Sequence, residues 1–310
     1  MRDINLPLPV ARAMLRPIFR VTLNERMPWR WQRLLLDVSS RAQLLPAGTA
    51  VRKLHLGGRP AEQISAGSQS PRGATARGAI LYLHGGGYAV GSLATHRSLA
   101  ARLAHETGCT VYVLDYRLAP EHPFPAGLDD AELAFLELVE SVGYRPDNIA
   151  LAGDSAGGGL SLATAQRLLA QHGHTPAALG LIAPWADPNQ IPERHRDLVI
   201  NKPWSRACAA AYLGNGDSTD PGYAPLTGEL RGLPPTYVQV DTSELLYSQC
   251  TELVATLRAA GVRVRFAETQ GLWHVAQLQA ALVAPAAAAL TELAEFLREA
   301  IQPASARDLG

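Results

Sequence analysis

The chain has 310 residues, and its 28 lysine and arginine residues balance its 28 aspartate and glutamate residues, so the formal net charge is zero. A neutral chain lacks the positive patch that proteins use to bind the phosphate backbone of nucleic acids, and we therefore expect no nucleic-acid partner. Hydrophobic residues make up 47% of the chain. This composition is typical of a globular protein that buries a substantial core.

The spacing of the cysteines and the length of the apolar runs indicate the cellular compartment of the protein. Cys109, Cys208 and Cys250 are widely spaced and form no metal-ligand pattern, so we expect buried or half-buried thiols in a reducing compartment. Charged residues interrupt the apolar runs near the N-terminus, and no apolar run is long enough for a transmembrane helix. The sequence therefore predicts a cytoplasmic protein with no signal peptide, no metal and no stable membrane insertion.

The residues up to about 77 precede the regular alternation of predicted strands and helices. Apolar residues recur at helical spacing over residues 13–23 and again over residues 29–36, which predicts two amphipathic helices. The segment 65–77 is rich in glycine, serine and proline and predicts an exposed loop between two strands.

Short apolar runs then alternate with segments of helical periodicity. Six runs predict strands, at 79–83, 110–114, 149–152, 179–182, 236–240 and 262–266. Five segments predict helices, at 99–108, 129–143, 159–172, 245–261 and 286–301. This alternation predicts an α/β protein with a mostly parallel sheet and helices on both faces. The segment 187–221, rich in proline, tryptophan and arginine, does not fit the alternation and predicts an insertion.

A glycine-rich motif, HGGGY at 84–88, follows the strand predicted at 79–83. Consecutive glycines are costly to order, so they indicate a backbone that must approach another group closely. We expect the amides of Gly85, Gly86 and Gly87, with that of Ala156, to donate hydrogen bonds to an oxyanion. A phosphate-binding loop is the alternative, but such a loop would end in Gly-Lys-Ser or Gly-Lys-Thr, which is absent here.

Ser155 lies in a second motif, GDSAG at 153–157, between a predicted strand and a predicted helix. A G-x-S-x-G pattern in this context predicts a tight turn that presents the serine hydroxyl at the carboxyl edge of the sheet as a nucleophile. The following helix directs its N-terminal amides at developing negative charge. The alternative is a glycine-rich turn with a solvated serine, and the flanking strand and helix argue against it.

Together these motifs resemble those of the hormone-sensitive-lipase-like family of bacterial esterases, within the α/β hydrolases. DYRLAPE at 115–121 and FPA at 124–126 resemble a third segment of that family. The resemblance extends from about residue 50 to the end. It implies the α/β-hydrolase fold with about eight strands, hydrolysis of carboxylic esters with short to medium acyl chains, and no metal or organic cofactor.

The resemblance also implies a helical cap over the active site. The two irregular segments lie where that cap is expected, so we assign residues 1–50 to N-terminal cap helices and residues 187–221 to a cap insertion. Residues 51–186 and 222–310 then form the catalytic domain.

The nucleophile needs a histidine base, and the triad of this fold follows the order serine, acid, histidine. His274 is the only histidine beyond His195 and follows the last predicted strand, so we predict that it is the base. A surface or core histidine is the alternative. His84, in the glycine-rich motif, is expected to shape that loop by hydrogen bonding. The family usually has Gly-Phe after the base, whereas Val275 and Ala276 follow here.

Two carboxylates compete for the role of the acid. The usual Asp-Pro-Leu of the family is absent, and VDTSELL at 240–246 replaces it. The family's acid lies 30 positions before the histidine, which selects Glu244. Asp241, at the end of the predicted strand, remains the alternative.

Other residues complete the prediction. Asp154 is expected to have a structural role beside the nucleophile, because adjacent side chains diverge in a tight turn. Three charged residues are expected to form a buried ion-pair cluster under the site: Asp115, Arg117 and Glu121. The predicted substrate-binding residues are Tyr88, Asp154, Trp204, Leu245 and Trp273. The cap residues that could line an acyl or alcohol pocket are Leu15, Phe19, Trp29, Trp31 and Trp204, although plain packing is the alternative.

The sequence thus predicts a serine carboxylesterase whose partners are a small-molecule ester and water. An amidase or lactonase with the same triad is one alternative, and a non-catalytic small-molecule receptor on the same fold is another. Homodimerisation stays open.

Overall fold

The computed structural model describes residues 4–40, 43–67, 78–190, 192 and 194–301. Most of the loop predicted at 65–77 lies outside the described residues. So do the two ends of the predicted domains, residues 1–3 and 302–310, and residues 41–42 of the predicted N-terminal cap.

Eight strands form one sheet: β1 (Thr49–Leu56), β2 (Arg59–Ala66), β3 (Ala79–Leu83), β4 (Thr110–Leu114), β5 (Ile149–Asp154), β6 (Leu179–Ile182), β7 (Thr236–Asp241) and β8 (Val264–Thr269). Their spatial order is β1-β2-β4-β3-β5-β6-β7-β8. Strand β2 is antiparallel to both of its neighbours, and the strands from β3 to β8 are parallel. The predicted strands are these six parallel ones. Charged side chains interrupt the apolar pattern of β1 and β2, which hid them from the sequence analysis.

Eight α-helices are described: α1 (Leu8–Thr22), α2 (Trp29–Ser40), α3 (Leu93–Thr107), α4 (Ala126–Glu140), α5 (Ala156–His172), α6 (Lys202–Leu213), α7 (Tyr247–Ala259) and α8 (Ala284–Ile301). Helix α3 begins six residues before the predicted start, because Ser92 and Thr95 cap each other's backbone amides. Helix α6 lies inside the predicted insertion. Pro203 stands in its first turn, where a missing amide costs nothing, and Asn201 caps it.

The core has two main apolar layers, one on each face of the sheet. In β3, Leu81 and Leu83 belong to one layer and Ile80 and Tyr82 to the other, as expected for alternating side chains of a strand buried on both faces. Helices α4, α5 and α7 contribute to the first layer, and α3 and α8 contribute to the second. The predicted arrangement of helices on both faces is therefore present.

Helices α1, α2 and α6 pack together beyond the carboxyl ends of the parallel strands. The indole Nε1 of Trp204 in α6 donates to Oε1 of Gln32 in α2 at 2.8 Å. The side-chain Nδ2 of Asn201 donates to the carbonyl oxygen of Leu23 at 3.2 Å. We call α1, α2 and α6 the cap helices. None of the helices in the described part of the chain has both the length and the apolar character needed to cross a membrane.

Candidate active site

Ser155 occupies the turn between β5 and α5, in a backbone conformation that side chains rarely adopt. Its φ is 51° and its ψ is −122°. The amide of Ser155 donates to the carbonyl oxygen of Ile182 at 2.8 Å, which fixes the turn to the neighbouring strand. A strained residue that the surrounding structure holds in place is a common feature of functional sites.

Close backbone contacts explain the small residues around Ser155. A Cβ atom at Gly157 would clash with the carbonyl oxygens of Leu83, the last residue of β3, and of His84, which follows it. A Cβ atom at Gly153 would clash with the carbonyl oxygen of Gly157. The turn is therefore tight because three backbone segments meet there.

The side chains of Ser155, His274 and Glu244 form a continuous hydrogen-bonded chain. Nε2 of His274 lies 2.9 Å from Oγ of Ser155. Nδ1 of His274 lies 2.6 Å from Oε2 of Glu244. Because a carboxylate only accepts, Nδ1 carries the proton and Nε2 is left to accept the serine proton. All three residues are buried.

Asp241, the other predicted candidate for the acid, holds the surrounding loops instead of contacting His274. Its Oδ1 accepts from the amide and hydroxyl of Ser243 at 3.0 and 2.6 Å. Its Oδ2 accepts from the hydroxyl of Thr269 at 2.9 Å and from the amide of Leu272 at 2.8 Å. The carboxylate thus ties the loop of Glu244 to the loop that precedes His274.

Charges around His274 favour its protonated form. Burial lowers the pKa of the imidazole, but the hydrogen bond and charge of Glu244 outweigh it, and Asp197 and Asp154 add to the effect, so the pKa lies above its ordinary value of 6.5. Burial also raises the pKa of Glu244, against the opposing hydrogen bond from His274. The imidazole is therefore a stronger base than a solvated histidine.

Asp197, which contributes to the raised pKa of His274, was missed by the sequence analysis. Its Oδ1 accepts from the amides of Val199 and Ile200 at 2.7 and 2.8 Å. Its Oδ2 accepts from the amide of Leu245, the neighbour of Glu244, at 3.0 Å. Asp197 therefore connects the segment before α6 to the loop of Glu244. No sequence motif marks it.

The glycine-rich loop after β3 faces the same site. Gly86 and Gly87 have φ angles of 121° and 60°, which are accessible to glycine at little cost. Among the described residues, none accepts a hydrogen bond from either amide. The amide of Ala156 is at the N-terminus of α5, where helix amides lack intrahelical partners. These three amides are available to an oxyanion.

Gly85 differs from the other members of the predicted oxyanion hole. Its amide donates to Oδ1 of Asp154 at 3.1 Å and is therefore already engaged. The hydroxyl of Tyr82 donates to the same oxygen at 2.8 Å, and Nε2 of His96 lies 3.1 Å from it. Burial raises the pKa of Asp154, but His96 and the hydrogen bond from Tyr82 hold it below its ordinary value. An ionised Asp154 thus anchors the glycine-rich loop. His96 carried no signal in the sequence.

His84 lies beneath the glycine-rich loop. Burial and the nearby His96 lower the pKa of His84 to about 4, so its imidazole is neutral at neutral pH. Its Nδ1 donates to the carbonyl oxygen of Gly85 at 2.9 Å, and its ring stacks on Tyr116 at 4.4 Å. His84 is away from Ser155 and supports the loop.

The site opens into a largely apolar cavity of about 600 Å³, which includes the open space at its mouth. The sheet side of the cavity is formed by Ser155, His274 and the glycine-rich loop. The cap side is formed by Phe19, Leu23, Leu36, Val199, Ile200 and Trp204. Val275, which follows His274, has a φ of 53° and also lines the cavity. Among the described residues, no group of three or more His, Cys, Asp or Glu side chains is arranged to hold a metal ion.

The predicted substrate-binding residues separate into two groups. Asp154 and Trp204 line the cavity, as does Phe19 of the predicted cap residues. The other predicted residues are not part of its wall: Tyr88, Leu245, Trp273, Leu15, Trp29 and Trp31.

Packing explains why the large predicted side chains lie elsewhere. Tyr88 stacks on Tyr212 at 3.7 Å, and its hydroxyl donates to the carbonyl oxygen of Trp185. Trp273 packs with apolar residues of α1 and α8, and its indole donates to Gln279 at 2.9 Å. These side chains form the core around the site.

The expected cluster of Asp115, Arg117 and Glu121 does not form. Arg117 pairs with Asp130 at 2.7 Å, and Glu121 pairs with Arg33 of α2 at 2.7 Å. The sequence analysis overlooked both partners because they lie in helices outside the motif.

An eight-stranded sheet of this order, with a serine at the β5–α5 turn and a histidine after β8, defines an α/β hydrolase. The family model described as alpha/beta hydrolase fold matches residues 80–278. Esterase LipU of Mycobacterium tuberculosis is 35% identical over 92% of this chain and 99% of that protein. An acetyl-hydrolase of Streptomyces hygroscopicus is 39% identical over 63% of this chain and 67% of that protein.

Solved structures give the same result. The crystal structure of an esterase from the bacterial hormone-sensitive lipase (HSL) family matches with a TM-score of 0.86 and 35% identity, over 94% of this chain and 98% of that chain. A hormone-sensitive lipase from a metagenome library matches with a TM-score of 0.87 and 29% identity, over 96% of this chain and 100% of that chain. The chain belongs to the hormone-sensitive-lipase-like family of α/β hydrolases. The predicted family and fold class are confirmed.

Proposed function

We propose that this protein is a serine carboxylesterase that hydrolyses small esters through an acyl-enzyme intermediate. The observation that carries the proposal is the hydrogen-bonded chain from Ser155 through His274 to Glu244 at the floor of an apolar cavity. A serine, a histidine and a carboxylate in this order are the groups that acyl transfer requires.

In the first step, Nε2 of His274 accepts the proton of Ser155 as Oγ attacks the ester carbonyl carbon. Glu244 stabilises the imidazolium that results and keeps the ring oriented. The negative charge on the former carbonyl oxygen is held by the amides of Gly86, Gly87 and Ala156. The free state of the first two amides supports this role.

The tetrahedral intermediate then collapses. His274 returns its proton to the leaving alcohol as the bond between carbon and alcohol oxygen breaks, which leaves the acyl group on Ser155. Water enters, and His274 removes one of its protons as the water oxygen attacks the acyl carbon. The carboxylic acid leaves, and the proton returns to Ser155.

We assign short to medium acyl chains to the substrate. The support is the shape of the cavity, since the cap helices close it on the side opposite the nucleophile with Phe19, Leu36 and Trp204. An apolar wall favours a hydrocarbon chain, and its size limits the chain length.

Replacing the nucleophile tests the proposal most directly. Ser155→Ala should abolish hydrolysis of p-nitrophenyl butyrate and remove the burst of p-nitrophenol that accompanies acylation. Full retained activity would exclude Ser155 as the nucleophile. Loss of activity together with loss of the folded far-ultraviolet circular dichroism signal would point to a structural role, and Ser155→Cys, which retains a nucleophile, then serves as a second variant.

A matched pair of substitutions tests the acid. Glu244→Gln should lower kcat by about 10³-fold or more, because the histidine loses the anion that stabilises its charged form. Asp241→Asn keeps an acceptor for Leu272 and should lower kcat much less. A larger loss in Asp241→Asn than in Glu244→Gln would reverse the assignment.

A substrate panel separates the ester hydrolase from its alternatives. Esters, anilides and lactones of equal acyl length should be compared by kcat/KM, and the esters should be turned over fastest. Faster hydrolysis of anilides or lactones would make the protein an amidase or lactonase. Tight binding without turnover of any member would make it a receptor.

A further inference from the structure

The exposed apolar side chains of this protein are concentrated near its N-terminus. Among the described residues, twelve large hydrophobic side chains are exposed, and ten of these lie between Ile4 and Leu44. The two others are Val51 and Leu133. Single exposed apolar side chains are ordinary, but a group of this size on one part of a surface marks an interaction site.

Helical spacing places most of this group on two stripes. The exposed residues of α1 are Val10, Met14, Ile18 and Val21, and those of α2 are Trp31, Leu34, Leu35 and Val38. Spacings of three, four, seven, eight and eleven residues fall on one side of a helix. We call these eight residues the outer face. The cavity is lined by other residues: Phe19 of α1, Leu23 directly after α1, and Leu36 of α2.

The helices that carry the outer face are also basic. Residues 4–40 contain six arginines and two acidic residues, a formal charge of +4 in a chain whose total charge is zero. Arg12 and Arg33 donate to carbonyl oxygens within the protein. The remaining four, Arg16, Arg20, Arg26 and Arg30, are exposed. The guanidinium of Arg30 lies 5.5 Å from the centre of the Trp31 ring.

We propose that the outer face docks peripherally on an anionic lipid surface. Amphipathic helices that combine exposed leucine, valine and tryptophan with arginine bind at the boundary between lipid headgroups and acyl chains. Tryptophan favours that boundary, and arginines near the surface bind lipid phosphates. The arrangement requires no membrane-spanning helix.

Charge distinguishes this occupant from a second copy of the chain. A two-fold dimer places the same patch of both copies in contact, so the exposed arginines beside one outer face would approach those beside the other. An anionic lipid surface neutralises them instead. The proposal goes beyond the proposed function and does not depend on it, since the outer face contains no residue of the triad or of the cavity wall.

Docking would also place the cap next to a source of apolar substrate. Phe19 and Ile18 are adjacent in α1, with the first at the cavity and the second on the outer face. Only this one layer of helices therefore separates the cavity from the docked lipid.

Vesicle flotation tests the docking. Ser155→Ala is used throughout, so that binding is measured without lipid hydrolysis. We expect it to float with vesicles of phosphatidylcholine mixed with phosphatidylglycerol and to remain unbound with phosphatidylcholine alone. Binding should weaken as sodium chloride is raised, because salt screens the arginines. Equal binding to both vesicles, or to neither, overturns the proposal.

Two double variants test the residues. Met14→Ser/Ile18→Ser and Arg16→Gln/Arg20→Gln should each lower the vesicle partition coefficient about tenfold. Leu133→Ser and Arg258→Gln are the matched controls, since Leu133 is 51% exposed against 46% for Ile18 but lies in α4, and Arg258 is exposed in α7. The controls should bind as the parent does. Equal losses in variants and controls overturn the assignment of the face.

A second pair of measurements separates docking from folding and from dimerisation. With Ser155 intact, Met14→Ser/Ile18→Ser should hydrolyse a soluble short-chain aryl ester at the parental rate, which shows that the fold and the site are unaffected. Sedimentation velocity should find no dimer that this variant dissociates. A dimer lost in the variant, together with absence of vesicle binding, would assign the outer face to a second copy and overturn the lipid proposal.

Discussion

The sheet side and the cap side of the cavity are held by different kinds of contact. On the sheet side, backbone meets backbone, as where Gly157 lies against the carbonyl oxygen of Leu83. On the cap side, apolar packing is joined by a few side-chain hydrogen bonds, such as that between Trp204 and Gln32. Backbone atoms cannot move aside without disturbing the sheet, whereas side chains can adopt other rotamers. The sheet side should therefore tolerate little change, and the cap side should tolerate more.

The largest effect is expected where an atom is added to the sheet side. Gly157→Ala forces a Cβ atom against the end of β3, and we expect it to lower the free energy of unfolding by about 3 kcal/mol or more. Esterase activity should fall with it, because Ser155 and the glycine-rich loop both move. Urea unfolding and kcat/KM measure the two effects.

Gly173→Ala is the matched control for that substitution. Gly173 has a positive φ, of 64°, whereas Gly157 lies in α5 without one, and a Cβ atom at Gly173 meets nothing within 4 Å. Its cost should be about 1 kcal/mol, from the left-handed conformation alone, with activity unchanged. Equal costs for the two glycines would mean that the close contact at Gly157 costs no more than a left-handed conformation, and would contradict the expected rigidity of the sheet side.

Replacing Asp197 tests whether the segment before α6 influences His274, through the pH dependence of activity. The proposed mechanism needs neutral His274, so activity should fall as the pH drops through the pKa of this histidine, which lies above its ordinary value of 6.5. Removal of the Asp197 charge lowers that pKa, so in Asp197→Asn the acid limb of the kcat/KM profile should move to lower pH. We expect kcat to fall by about tenfold or less, because the amide still offers an acceptor to Leu245.

Asp220→Asn is the control for the pH profile. Asp220 is exposed and accepts from the amide of Gly222, so its loss should leave the acid limb in place. An unchanged limb in Asp197→Asn would show that its charge does not reach His274.

The contrast between backbone contacts and side-chain contacts also explains which features could be predicted from the sequence alone. The turn at Ser155 and the glycine-rich loop were predictable because both depend on local backbone requirements, which short motifs record. Five of the six parallel strands, β3 to β7, were predictable because they are buried on both faces and read as apolar runs, whereas the edge strand β8 is partly exposed. The sequence selected Glu244 by its spacing to His274 and kept Asp241 as the alternative, and the structure shows which carboxylate contacts His274 and which one ties the loops.

Contacts between distant residues were not predictable. The pairing of His96 with Asp154 joins α3 to β5, and the same carboxylate accepts from the amide of Gly85. The position of Asp197 depends on a segment without a regular pattern. Tyr88 and Trp273 were expected at the substrate and lie close in sequence to site residues, but sequence proximity does not say which way a side chain points.

A moderate effect is expected on the cap side. Trp204→Phe keeps an aromatic wall but leaves Oε1 of the buried Gln32 without its donor, which should lower the free energy of unfolding by about 1–3 kcal/mol. The value of kcat for a small ester should change less than in Gly157→Ala. Trp31→Phe is the control, since Trp31 is exposed and should contribute little to folding. A loss of kcat in Trp204→Phe as large as that in Gly157→Ala would contradict the contrast between the two sides.

The smallest effect is expected at the salt bridge between Arg33 of α2 and Glu121, which lies between β4 and α4. Glu121 is 55% exposed, so Glu121→Gln should change the free energy of unfolding by less than about 1 kcal/mol, and less still at high salt. Arg33 lowers the pKa of Glu121, so this contribution is present at neutral pH and is lost as the pH falls through that pKa. Asp130→Asn should cost more, because Asp130 is buried and its loss leaves Arg117 without its partner. Equal costs in urea unfolding would mean that the exposed pair of Arg33 and Glu121 stabilises the protein as much as the pair of Arg117 and Asp130.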